Sequence, residues 1–118
     1  MTEYEQRILD KVRDNLGTCR LAGSVVYLDR QSYYARERVK FGDVIIEAPW
    51  YADIVFVDLE PGANWGHACF YLAIRRDGDE VIQVEAQMPP FLKNKASTFC
   101  LLWRGPLAPE WAVATNQD

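Results

Sequence analysis

Several signatures that would assign a function are missing from this 118-residue chain. There is one histidine, His67, and there are three cysteines, Cys19, Cys69 and Cys100. They are widely spaced, and no C-x-x-C or H-x-x-x-H pattern supplies the ligands of a zinc centre. Neither a metal nor any other cofactor is expected. Positive charge is also short: 13 basic residues face 17 acidic ones, for a net charge of −4. Nucleic acid, which needs a basic face, is excluded as a partner. The longest fully apolar run, Ala68 to Ile74, is far short of the roughly 20 residues that span a bilayer. The first residues are charged and amphipathic, with no apolar core of a secretory signal. The expectation is a soluble, cytoplasmic protein with free thiols and no membrane contact. No repeat, linker or low-complexity segment is visible. One domain over 1–118 is expected, with an ordered core over 1–104 and an irregular segment over 105–118.

What is present is apolar patterning. Apolar residues make up 49% of the chain, and 4 Trp, 6 Tyr and 5 Phe are among them. Large rings fill a core or line an interface or pocket. At the N-terminus, Thr2 and Glu5 form a capping box. Tyr4, Ile8, Leu9, Val12 and Leu16 then recur at helical spacing, and Gly17 offers a stop. The spacing predicts an amphipathic helix over Thr2 to Leu16, with Glu3 and Arg7 paired on its outer face.

After Gly17 the period changes to two. Six or seven strand candidates follow: Leu21 to Leu28, Tyr33 to Phe41, Val44 to Ala48, Ile54 to Leu59, His67 to Arg75, Glu80 to Gln87, and Thr98 to Trp103. Their short connections require antiparallel pairing. Asp29-Arg30-Gln31-Ser32 is expected to turn the chain. Asp77-Gly78 signals a type I′ hairpin, which would pair Ala73 with Ile82, Tyr71 with Val84 and Cys69 with Ala86. The fold class is α+β: an N-terminal helix on a strongly twisted, partly curled antiparallel sheet of six or seven strands. One helix cannot cover so wide a sheet, so a homo-oligomer, most simply a dimer, is expected to bury the remainder.

Two functional readings follow. In the first, the chain is a non-catalytic domain that binds a small molecule or peptide in a cleft between helix and sheet. Trp50, Tyr51 and Trp65 stand on loops at opposite ends of one strand and would rim that cleft, with Phe91 and Trp111 on further loops. His67, Gln83, Glu85, Arg36 and Arg38 would supply polar contacts. If its face is covered, Glu85 becomes a buried carboxylate that needs Arg36 or Arg38 as partner.

In the second, His67 activates a thiol, either Cys69 on the same strand face or Cys19. Cys19, then His67 on a strand, then Glu85 or Gln87 on the next strand, with Ala52-Asp53-Ile54-Val55-Phe56 leading towards the histidine, loosely resembles small papain-like cysteine peptidases of the NlpC type. The resemblance implies Cys19 as nucleophile, His67 as base, and Gln87 or Glu85 as the group that orients the imidazole. In that family the nucleophile opens a buried helix. Here Cys19 follows a helix and leads into a strand candidate, and no oxyanion-hole element is legible.

Overall fold

The structure, a computed structural model, describes residues 1–64, 66–91 and 97–113. Helix α1 (Glu3–Leu16) is followed by a short helix α2 (Thr18–Ala22) and strands β1 (Val25–Tyr33), β2 (Arg38–Phe41), β3 (Val44–Glu47), β4 (Ala52–Asp58), β5 (Cys69–Arg75), β6 (Val81–Ala86) and β7 (Phe99–Arg104). A 3-10 turn, Glu110–Ala112, lies in the C-terminal segment. The capping box at Thr2 and Glu5 forms in both directions, and the Gly17 N–H closes the helix on the Arg13 carbonyl.

The class is α+β, but the strands do not make one sheet. Five of them form an antiparallel sheet in the order β6-β5-β4-β1-β7, and β2 and β3 form a separate two-stranded ribbon. The expectation of six or seven strands in a single curled sheet is corrected accordingly. The reason lies in the middle of the sheet. Every residue of β4 is buried, as are the residues of β5 up to Ile74, so both faces need cover. On one face α1 lays Ile8, Leu9, Val12 and Leu16 over Val55, Val57, Phe70, Leu72 and Ile74. On the other, the ribbon contributes Phe41 and Ile46 to a core with Tyr27, Ile54, Phe56, Tyr71 and Phe99. Each such side chain, fully buried, stabilises the fold by about 1.5–3 kcal/mol. The cover that the sequence reading assigned to a second copy is supplied by this chain's own ribbon.

Three local differences come from side chains that bond to nearby backbone. The expected turn at Asp29 to Ser32 is strand instead, because the buried Asp29 carboxylate accepts from the Gln31 N–H at 2.9 Å and the Tyr33 hydroxyl at 2.5 Å. This carries β1 through an irregularity to Ser32 and Tyr33, which pair with Asp53 and Ala52. The chain turns later, where Arg36 takes φ 66° and the Glu37 N–H bonds to the Tyr34 carbonyl. The β2–β3 loop is Gly42-Asp43, since Phe41 pairs with Val44. A Cβ on Gly42 would stand 2.6 Å from the Met88 carbonyl oxygen, so only glycine lets the ribbon tip seat there. Finally, residues 18–22, expected to lead into a strand, close a turn of helix against α1, with Leu21 buried.

The β5–β6 register is the expected one: Cys69 faces Ala86, Tyr71 faces Val84 and Ala73 faces Ile82. The turn type differs. Neither Asp77 nor Gly78 has positive φ, which a type I′ turn requires at both positions. Arg7 bonds to the carbonyls of Arg75, Arg76 and Gly78 and fixes the loop from the helix side.

Candidate functional site

Register brings the polar groups together at one end of the sheet. Asp58, the last residue of β4, pairs with Cys69, the first of β5, and Cys69 pairs in turn with Ala86 near the end of β6. The loop between β4 and β5 folds back so that the His67 ring meets Asp58. The two side chains are 8% and 4% exposed.

His67 is held at both nitrogens. Nε2 lies 2.8 Å from Asp58 Oδ1, and Nδ1 lies 2.8 Å from the Asn64 carbonyl oxygen. A carbonyl oxygen accepts and never donates, so Nδ1 carries a hydrogen. Asp58 Oδ1 also accepts the Glu60 N–H at 3.1 Å, which sets it as an acceptor towards Nε2 as well. Both ring nitrogens are thus placed to donate, the arrangement that favours the protonated ring. Burial, the largest single influence, opposes that charge. The Asn64 carbonyl, the Asp58 carboxylate and Glu60 together outweigh it and hold the His67 pKa above its ordinary value of 6.5.

The thiols complete the picture. Cys69 is 3% exposed, and its Sγ sits 3.9 Å from the Met88 carbonyl oxygen. Burial first, then Asp58 and Asp43, push this thiol up to about 12. Cys19 is exposed on α2, and Cys100 is half-buried on β7. An imidazole with both nitrogens donating has no lone pair with which to take a proton, and a thiol raised this far is not a nucleophile at neutral pH. Among the described residues, no group of three or more His, Cys, Asp or Glu side chains is placed to hold a metal ion.

Beside this cluster, over the β5–β6 pair, lies an open cleft of about 530 Å3 lined by Arg20, Asp43, Leu59, Phe70, Gln83, Glu85 and Gln87. Gln83 and Glu85 stand opposite Leu72 and Phe70, which puts them on the α1 side of the sheet. Both are exposed, as is Arg20 from α2. Asp43 reaches in from the ribbon tip and accepts the N–H groups of Gln87 and Met88 at 3.2–3.3 Å.

The other expected contacts lie elsewhere. Arg36 and Arg38 belong to the ribbon side, where Arg38 faces Glu47 at 3.7 Å, so neither partners Glu85. Trp50 packs into the ribbon-side core, as does Phe91, whose ring lies 4.8 Å from that of Tyr27. Tyr51 lies 5.5 Å from Tyr34 with the rings tilted and under Arg76 at 5.9 Å, at the opposite end of β4. Trp111 is 76% exposed and covers Gly62. Trp65 lies outside the described residues. The structure thus gathers Gln83 and Glu85 at the cleft and His67 at its margin, and it separates them from Trp50, Tyr51, Arg36 and Arg38.

Sequence reasoning did not single out Asp43, Arg20 or the Asp58–His67 pair. The signal for Asp43 was the Gly42-Asp43 dipeptide between two apolar runs, a two-residue hairpin loop. No local signal pointed to Arg20, which arrives through α2. No family model, curated protein or solved structure matches the chain.

Proposed function

We propose that this chain is a non-catalytic binding domain whose contact surface is the cleft over β5 and β6. One observation carries the reading. Four polar side chains, Arg20, Gln83, Glu85 and Gln87, line a single open cleft, and none of the four side chains has an ion pair or hydrogen bond among the described residues. A cation, an anion and two amides on a rigid sheet suit a polar small molecule or a peptide that brings both donors and acceptors.

The alternative, a cysteine hydrolase, finds no support in the chemistry of His67 or Cys69. The two readings separate in one labelling experiment. Iodoacetamide at neutral pH is expected to modify exposed Cys19 in the native protein and to leave buried Cys69 untouched until the protein unfolds. Rapid labelling of Cys69 in the native protein, lost in His67→Gln, would restore the hydrolase reading. For binding, a compound library read by amide chemical shifts is expected to move Gln83, Glu85 and Gln87 with at least one ligand. Silence at all three across the library would remove the proposal.

Self-association is a separate part of the proposal. It rests on exposed Leu107 and Trp111, 77% and 76% exposed, in the C-terminal segment. Sedimentation of the protein against Trp111→Ser tests it, with a monomer at every concentration as the refuting result. No helix among the described residues is long and apolar enough to cross a membrane.

A further inference from the structure

We infer that His67 is a proton-dependent clasp on the wall of this cleft: the protonated ring holds Asn64 and, through Gly66, the Gln87 end of the cleft, and loss of one proton frees that end. As a control on binding, the clasp rests on the function proposed above.

Two acceptors face one small ring. Asp58 Oδ1 lies 2.8 Å from Nε2, and the Asn64 carbonyl oxygen lies 2.8 Å from Nδ1. A neutral imidazole carries a single N–H. It donates to one of the two acceptors and turns a lone pair on the other. The carboxylate keeps the remaining hydrogen, because a bond to a charged acceptor is roughly twice as strong as a neutral one. Asp58 is 4% exposed and has no other ion-pair partner among the described residues. Loss of the proton to solvent therefore leaves Nδ1 bare against the Asn64 carbonyl. Two lone pairs 2.8 Å apart repel. Asn64 is exposed, so its carbonyl turns to water and this contact is the one that opens.

The surroundings set the direction. Burial opposes the ring's charge, but the Asn64 carbonyl, Asp58 from β4 and Glu60 from the loop outweigh it and hold the pKa above the ordinary 6.5. From β5 comes the Cys69 thiol, which both Asp58 and Asp43 of the ribbon tip face. From α2, Arg20 lines the cleft itself.

The loop that carries this contact is a wall of the cleft. Leu59 and Ala68 line it, and the Gly66 N–H donates to the Gln87 carbonyl at 3.1 Å. Gln87 lines the cleft too, and Asp43 holds its N–H at 3.3 Å. That end of the cleft is thus pinned from two sides, by the ribbon through Asp43 and by the loop through Gly66. The loop side hangs on an imidazole. When Asn64 turns away, the Gly66 bond weakens and Gln87 keeps the ribbon as its anchor.

The test is a pH titration of the whole protein, without ligand, read by nuclear magnetic resonance across the range in which histidine titrates. The His67 ring is expected to titrate with a midpoint above 6.5. The Asn64 carbonyl and the Gly66 and Gln87 amides should shift with the same midpoint. Above it, and after correction for the intrinsic effect of pH on exchange, Gly66 should lose about fivefold in protection, the scale of one neutral hydrogen bond. The amides of β1 and β4 should stay protected. His67→Gln should remove the transition at Gly66 and Gln87. Asp58→Asn keeps the imidazole but removes the charge that holds its proton, and should lower the ring's midpoint. A wild-type midpoint at or below 6.5 overturns the clasp. So does a ring that titrates while Gly66 and Gln87 stay still, or a transition at Gly66 that persists in His67→Gln. The wild-type titration alone can give the first two of these results, whether or not a variant folds. Because no ligand enters the measurement, the clasp can fail while the compound library still finds ligands at Gln83, Glu85 and Gln87, and the binding reading can fail while the clasp stands.

Discussion

Strand β4 carries a buried carboxylate near each end, and the two are satisfied in different ways. Near the start, Asp53 is 0% exposed; its Oδ1 accepts from the Ser32 hydroxyl at 2.7 Å and faces the Arg76 guanidinium at 3.3 Å. At the end, Asp58 is held by His67 and the Glu60 N–H. Arg76 reaches its carboxylate from a half-exposed position and lies 4.9 Å over the Tyr4 ring, so that end ties α1 to the sheet. His67 is nearly buried and ties down the loop that borders the cleft. One end is a joint between helix and sheet. The other is a latch on the candidate site.

The largest expected effect lies at the joint. Arg76→Ala leaves the Asp53 carboxylate buried without its cation, and Oδ2 of that carboxylate already has no hydrogen-bond partner among the described residues. Breaking a buried pair from one side costs about 3–5 kcal/mol. The half-exposed guanidinium moves the expectation to the lower part of that range, about 3 kcal/mol. Urea unfolding measures it. Asp53→Asn combined with Arg76→Ala should recover part of the loss, because the buried charge is then gone. No recovery in the double variant would mean that Arg76 acts through Tyr4 packing and not through the carboxylate.

The latch is expected to be weaker. His67→Ala removes two hydrogen bonds and exposes the Asp58 carboxylate to the space left behind. Leaving a buried partner unsatisfied costs about 1–3 kcal/mol, and the cost should fall on the loop first. Amide exchange in native conditions is expected to rise at Glu60 and Ala63, whose N–H groups bond within this loop, with β1 and β4 unchanged. If the core strands lose protection equally, the two ends of β4 are not separable and the comparison fails.

These two sites also show what was readable beforehand. Helix α1 was legible because a capping box and a 3.6-residue period are local. The β5–β6 register was legible because a four-residue connection between apolar runs leaves few ways to pair. The partners of Asp53 and Asp58 arrive from residues 76 and 67 through long-range pairing, and no local pattern announces them. Alternation put His67 beside Cys69 on one strand face; the loop geometry turned its ring to Asp58 instead. The Asp29 segment misled for a related reason. Its composition reads as a turn, yet a buried carboxylate that bonds two residues and four residues ahead keeps the chain extended. Gln83 and Glu85 were readable as polar positions on one strand, and alternation is what sets them side by side along the cleft.

The smallest effect discriminates best, because only one end of β4 has a cation that titrates. His67 binds its proton more tightly in the folded protein than at its ordinary value of 6.5. Its contribution to stability is therefore complete below 6.5 and is lost as pH rises through the higher folded value. Arginine does not titrate in this range, so the joint adds no slope there. The Cys69 thiol, held near 12 in the fold against an ordinary 9.0, brings a second loss that begins as the unfolded thiol ionises near 9.0. The stability of the native protein, measured by urea midpoint, should thus begin to decline as pH rises past 6.5 and decline further from about 9.0. His67→Gln should flatten the first stage and leave the second, and Cys69→Ala should keep the first and delay the second to about 10.0, where the Tyr4, Tyr33 and Tyr71 hydroxyls, all raised in the fold by burial, take over. A first stage that persists in His67→Gln would show that the imidazolium between Asn64 and Asp58 is not what holds the latch.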